Sequence, residues 1–178
     1  MAAKKTYPDI KTKGKPLKKL VCTTVLFVLG RGFQSIAKTD PYVMKEVESW
    51  PEGFKIKMEI LPKGPTMAMQ KVNGRVKYLG LKNMDTDLAI SFKNVDAAFA
   101  LFTVQKNTYQ AWTEFRMMIR GDLTYALSFV RALNIAEHYL FTWPIAQFIL
   151  KRKPPMASYA NLFLGRLRAY FVGIPLGL

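Results

Sequence analysis

The chain has 178 residues, enough for one domain with a sizeable core, and 27 Lys and Arg against 12 acids give it a net charge of +15. Such an excess points to a polyanionic partner, either an anionic membrane face or nucleic acid. The single cysteine, Cys22, excludes an intrachain disulfide, and a lone His138 with no Cys-x-x-Cys spacing excludes zinc chemistry of the usual kinds.

Residues 1–16 are Lys-rich and carry Pro8, Gly14 and Pro16, which predicts a flexible basic arm. Seven lysines lie in the first 20 residues: Lys4, Lys5, Lys11, Lys13, Lys15, Lys18 and Lys19. The run Leu20-Val-Cys-Thr-Thr-Val-Leu-Phe-Val-Leu-Gly30 follows. At about 1.5 Å per residue, its eleven residues are too short to cross a bilayer core of about 30 Å. A basic stretch, a short apolar run and Ser35-Ile-Ala37 imitate a secretory signal, but Arg31 interrupts the run, and the pattern continues through Phe33 and Ile36. An interfacial helix and a helix docked on the core both fit, within an N-terminal helical region over residues 17–50. Thr39 or Asp40 caps a second helix that opens on Pro41 and ends near Trp50, before Pro51 and Gly53.

Phe54, Ile56, Met58 and Ile60 alternate with Lys55, Lys57 and Glu59, the period of a half-buried strand. Pro62-Lys-Gly-Pro65 is a turn, Thr66–Val72 a second strand, and Asn73-Gly74 a tight hairpin turn into a third strand over residues 75–79. A fourth strand, Asp87-Leu-Ala-Ile-Ser-Phe-Lys93, turns Leu88, Ile90 and Phe92 inward. Asn94 then caps a helix bearing Val95, Ala98, Phe99 and Phe102. A short helix around Thr108–Thr113 brings up Trp112. The stretch Glu114-Phe-Arg-Met-Met-Ile-Arg-Gly-Asp122 reads as a fifth strand with Phe115, Met117 and Ile119 on one face. Asp122 caps a helix expected to run to about Leu150 with a kink before Pro144, closed by Lys151-Arg-Lys-Pro-Pro155. Residues 159–172 set Leu162, Phe163, Leu167 and Phe171 near helical spacing, with Arg166 and Arg168 elsewhere.

The order of elements, and above all Asp87-Leu-Ala-Ile-Ser-Phe, then Ala97-Ala-Phe-Ala-Leu-Phe, then Ala111-Trp followed by Arg116-Met-Met-Ile-Arg-Gly-Asp-Leu123, resembles the sterol carrier protein type two family over roughly residues 40–150. Thr39-Asp-Pro41 and Arg131-Ala-Leu-Asn-Ile-Ala-Glu-His-Tyr-Leu140 resemble a prokaryotic branch of it. The resemblance implies an α+β fold: a five-stranded, mainly antiparallel sheet covered on one face by helices, with extra N- and C-terminal helices. It implies a sterol-carrier-like domain over residues 51–150 and a C-terminal amphipathic lid or membrane-contact segment over residues 151–178. It further implies a hydrophobic tunnel that binds sterols, fatty acyl chains or phospholipids without changing them. Two departures stand out: Phe115 occupies the place of a small glycine before the last strand, where it would narrow the tunnel, and the ending Pro175-Leu-Gly-Leu178 lacks a Ser-Lys-Leu-like peroxisomal tail.

The surplus of 12 Phe, 8 Tyr, 3 Trp and 9 Met serves a thick core or an adaptable pocket equally well. Candidate lining residues are Leu88, Ile90, Phe92, Phe99, Phe102, Trp112, Phe115, Met117, Ile119, Leu127, Val130 and Leu133, with Phe163 and Leu167 from a lid. The arm lysines, with Arg166 and Arg168, are the candidate membrane contacts. Arg131 and Glu137 lie on opposed faces of their helix, and each suits a structural ion pair with a strand residue better than a head-group contact. No catalytic residue, metal or cofactor is expected: His138 lacks a Gly-x-Ser-x-Gly elbow to serve, Asp85 and Asp87 are ordinary loop carboxylates, and Gly30-Arg-Gly32 lacks the third glycine of a dinucleotide fingerprint. The expectation is a non-enzymatic, cytoplasmic, peripheral carrier whose partners are a hydrophobic small molecule and an anionic membrane. The rivals are an interaction subunit of a protein complex with the tunnel filled by Phe115 and Trp112, and a nucleic-acid binder using Lys55 and Lys57, which the apolar backing of those lysines disfavours.

Overall fold

The structure, a computed structural model, describes residues 14–103, 105–106, 108–140, 163, 166–167, 170–171 and 174–176. The two N-terminal helices are α1, Pro16–Ile36, and α2, Pro41–Glu48. Strands β1 (Lys55–Ile60), β2 (Thr66–Val72), β3 (Arg75–Gly80) and β4 (Leu88–Phe92) follow, then helices α3 (Val95–Phe102) and α4 (Thr108–Thr113), strand β5 (Met117–Arg120) and helix α5 (Leu123–Leu140). The strands form one sheet in the order β3-β2-β1-β4-β5, antiparallel except for the central pair β1 and β4. The fold is therefore α+β with a five-stranded, mostly antiparallel sheet.

Local chemistry sets most of the boundaries. Asp40 accepts hydrogen bonds from Tyr42 N at 2.9 Å and Val43 N at 3.0 Å with Pro41 in the first turn, and Asn94 accepts from Ala97 N at 2.8 Å. Asn73 and Gly74 take φ of 52° and 71°, the left-handed pair that a two-residue hairpin needs.

Helix α1 is longer than the eleven-residue apolar run, and it continues to Ile36 as the pattern through Phe33 predicts. Its 21 residues run on through Gly30, Arg31 and Gly32, and by length and composition it could cross a membrane, so shortness does not exclude a span. Its packing is that of a docked helix: Cys22, Leu26, Leu29, Phe33 and Ile36 form one buried stripe, and half of its most apolar window is buried. The close approach depends on Gly30 and Gly32, where an added Cβ would lie 2.4 Å from the Tyr78 ring and 2.6 Å from Leu140 Cδ2. Lys15 and Lys18 both bond Asp96 of α3, and the Lys18 ammonium lies 5.2 Å from the Phe99 ring centre. Phe33, Trp50, Phe54, Tyr125 and Phe129 interlock between α1, α5 and the sheet.

The register puts Ile56, Met58 and Ile60 beside Leu88, Ile90 and Phe92 on the helix-covered face. Lys57 and Glu59 point the other way, yet both are buried, Lys57 to 5% exposure. Residues 81–87 cross that face, where Lys57 Nζ reaches Glu59 at 2.9 Å and donates to Asn83 Oδ1 at 3.0 Å, while Ser91 donates to Glu59 at 2.7 Å. Burial pushes the Glu59 carboxyl up, but the hydrogen bonds from Lys57 and Ser91 outweigh it and hold the carboxyl below its usual range. On the helical face, Lys71 sends its ammonium into the C-terminal end of α2. It donates there to the carbonyls of Val47 at 3.0 Å, Glu48 at 3.1 Å and Trp50 at 2.7 Å.

Strand β5 begins at Met117, two residues after Phe115. Phe115 instead closes α4, with φ of 52° and its N–H donating to the Trp112 carbonyl at 3.0 Å. The continuation of α5 towards Leu150, the kink before Pro144 and the basic stop at residues 151–155 lie outside the described residues.

Candidate functional site

The helix-covered face of the sheet leaves a cleft of about 50 Å³ between β1, β4 and β5 on one side and α3 and α5 on the other. Met58, Ile90, Phe92 and Met117 line it from the strands, and Leu101 and Phe102 from α3. Phe92 and Phe102 meet edge to face with centroids 5.4 Å apart. Lys106 stands at the rim on the link between α3 and α4, ion-paired with Glu114. Val130, Leu133, Asn134 and Glu137 complete the lining from α5, and their spacing of three, four and seven is one face of a helix.

That face is apolar except at its end. Asn134 and Glu137 make no hydrogen bond or ion pair among the described residues. Burial pushes the Glu137 carboxyl up to about 7, because the charged form has lost water without gaining a cation. A carboxyl of that pKa suits a general base, but among the described residues no Ser, Thr, Cys or Tyr lines the cleft to act as a nucleophile. Among the described residues, no group of three or more His, Cys, Asp and Glu could hold a metal ion. The arrangement suits binding of an apolar body with one polar end.

The cleft gathers Ile90, Phe92, Phe102, Met117, Val130 and Leu133 from the fourteen lining candidates. Leu88 is wholly buried beside it, while Phe99 and Ile119 are half-buried against the core. Trp112, at 46% exposure, and Phe115, at 81%, face away from it. Ala111 turns inward in place of Trp112, and the left-handed backbone at Phe115 throws its ring outward, so neither narrows the cleft. Leu127 lies on α5 a turn before Val130, where the helix has left the cleft, and is exposed with Leu123. Phe163 and Leu167 are exposed and do not line the cleft; Arg166 donates to the His138 carbonyl at the end of α5 at 3.0 Å, and the Tyr170 hydroxyl to that of Leu140.

The ion-pair reading changes as well. Arg131 pairs with Glu46 of α2, a helix and not a strand, through Nε at 2.7 Å and Nη2 at 2.8 Å, and Glu137 has no ion pair among the described residues. Of the candidate membrane contacts, Lys15 and Lys18 are engaged with Asp96, Lys19 is exposed, and Arg166 reaches α5. Lys4, Lys5, Lys11, Lys13 and Arg168 lie outside the described residues. Sequence reasoning missed Met58, Leu101, Lys106, Asn134 and Glu137 as lining residues. The available signal for the last two was a pair of polar residues on an otherwise apolar helical stripe.

No family model and no curated protein matches the chain. Solved structures do. The sterol carrier protein domain 2 of Helicoverpa armigera matches at a TM-score of 0.46 and 12% identity over 74% of this chain and 98% of its own. Sterol carrier protein 2 from Yarrowia lipolytica, in its apo form, matches at 0.45 and 14% over 64% and 91%. The ubiquinone synthesis protein UbiJ-SCP2 matches at 0.40 and 15% over 68% and 97%. In its fold, this chain is similar to sterol carrier protein 2 domains.

Proposed function

We propose that the chain is a sterol-carrier-type domain that binds a lipid-like molecule without transforming it. The cleft between the sheet, α3 and α5 carries this reading, because its walls are apolar and its two unpartnered polar groups sit together on one helix. Each methylene moved from water into such a site contributes about 0.8 kcal/mol. The cleft is about a third of the roughly 150 Å³ cavity that admits benzene in an engineered protein. A long chain therefore enters only as Met58, Met117 and Phe102 change rotamer, which the unbranched methionines allow. Lipid exchange at an anionic, cytoplasmic membrane face fits the net charge of +15 and the lysines of the first 20 residues.

Native mass spectrometry of freshly purified protein, followed by solvent extraction, tests the reading. A bound lipid of defined mass is the expected result. Apo protein that also refuses Nile red and added lipids would overturn it. One observation favours a second reading, an interaction subunit with a closed cleft: the Phe92–Phe102 contact already fills much of the space, while Trp112, Phe115 and Met118 are exposed. Apo protein that co-purifies with a stable protein complex would support that alternative.

A further inference from the structure

We propose that Asn134 and Glu137 read the polar end of the ligand, accepting a lipid that ends in an uncharged hydroxyl and turning away one that ends in a carboxylate. The inference rests on the lipid-binding reading and adds a head-group preference to it. Asn134 and Glu137 lie three apart on α5, both line the cleft, and neither has a partner among the described residues. Both are half-buried, so a ligand seated over them strips their remaining water, and an occupant that satisfies them is favoured over one that does not.

A hydroxyl both donates and accepts. It can donate to the Glu137 carboxylate or accept from the protonated acid, and in either case the Asn134 amide can complete the pair. A carboxylate only accepts, so beside ionised Glu137 it places two negative charges in a site with little water. The other charged groups near Glu137 do not reverse this. Lys106 at the rim already pairs with Glu114, whose other partner is Arg116. Arg166 donates to the His138 carbonyl, and the strand and α3 residues of the cleft, Met58, Ile90, Phe92, Met117, Leu101 and Phe102, carry no charge. With burial setting the Glu137 carboxyl at about 7, discrimination should be strong above neutrality and fade below it.

The test is displacement of Nile red from the full chain by decan-1-ol and by decanoate, at about pH 8 and about pH 6, where decanoate stays ionised. An alcohol is the more hydrophobic competitor in any apolar site, so the decisive quantity is the change in its advantage. In the Glu137→Gln variant that advantage should shrink about tenfold at the higher pH. In the unaltered protein, decanoate should compete several-fold better at the lower pH while decanol is unchanged, a readout that needs no variant. His138, the next residue along α5, is present in both proteins, so a pH effect that survives Glu137→Gln belongs to it and overturns the proposal. An unchanged alcohol-to-acid ratio in the variant, with pH-independent decanoate binding, also overturns it and leaves the lipid site standing. Failure of Nile red to bind the unaltered protein overturns both.

Discussion

Replacing Lys71 with methionine probes how α2 is held to the sheet. The Lys71 ammonium is buried and donates to three carbonyls, those of Val47, Glu48 and Trp50, at 3.0, 3.1 and 2.7 Å. A hydrogen bond to a charged group contributes roughly 1.5–3 kcal/mol, and the desolvation of the ammonium offsets several kcal/mol of the sum. Methionine keeps the stem's packing but leaves three carbonyls without a donor, at the helix end where the macrodipole favours a cation. The expected loss is about 2–4 kcal/mol, which for a chain of this size lowers Tm by about 4–16 °C. Urea unfolding followed by tryptophan emission and by circular dichroism reads it, with Lys77→Met on exposed β3 as the control, expected within about 0.5 kcal/mol of the unaltered protein. Equal midpoints for the Lys71 and Lys77 variants would refute the claim that a buried cation holds α2.

Three further outcomes are expected. Asp40 caps α2 and accepts from the Tyr139 hydroxyl of α5 at 2.7 Å, so Asp40→Ala should cost about 2–4 kcal/mol and Tyr139→Phe about 1 kcal/mol; additive losses in the double variant would show that the two are not coupled. The carboxyls of Glu59, which is buried, and Glu137, which is half-buried, give opposite pH dependences. Glu59, held below its ordinary 4.5, contributes stability that is present above 4.5 and lost as pH falls, so Glu59→Gln should flatten the acid limb of a denaturation series. Glu137, raised from 4.5 to about 7, makes the native state bind more protons across that window, so its contribution falls as pH rises through it; Glu137→Gln should gain about 1–3 kcal/mol at about pH 8 and little at about pH 4, and a pH-independent difference would refute the assignment. Burial, with the Asp96 charge adding to it, pushes the Cys22 thiol up to about 11, so alkylation of native protein should be at least roughly a hundredfold slower than of unfolded protein, and equal rates would count against a buried thiol.

Much of the sheet was legible because its signals are local. Thr66–Val72 ends at an Asn-Gly pair that admits few conformations, and Asp40 and Asn94 are caps whose hydrogen bonds stay within three residues. The errors arose where two local signals compete or where distant contacts decide. Phe115 matches the alternation of Met117 and Ile119, but α4 needs a left-handed residue to close it and takes Phe115 first. Lys57 and Glu59 read as the polar side of a half-buried strand, because their partners Asn83 and Ser91 come from other elements. The polar end of the cleft was half legible. The spacing of Asn134 and Glu137 from Val130 and Leu133 is in the sequence, while the absence of a partner among the described residues is not.

The packing of α1 bears on how the chain is made. This helix is completed before the elements that cover its buried stripe, β2, β3, α3 and α5, the last of which ends about a hundred residues later. At about 5–20 residues per second, a ribosome takes roughly 5–20 s to supply those partners. For that interval, the one helix among the described residues that is long and apolar enough to cross a membrane is exposed on the nascent polypeptide, preceded by a run of lysines. Chaperones and membrane-targeting factors that scan emerging segments for such helices therefore compete with folding, and the delivery of α5 decides when that competition ends.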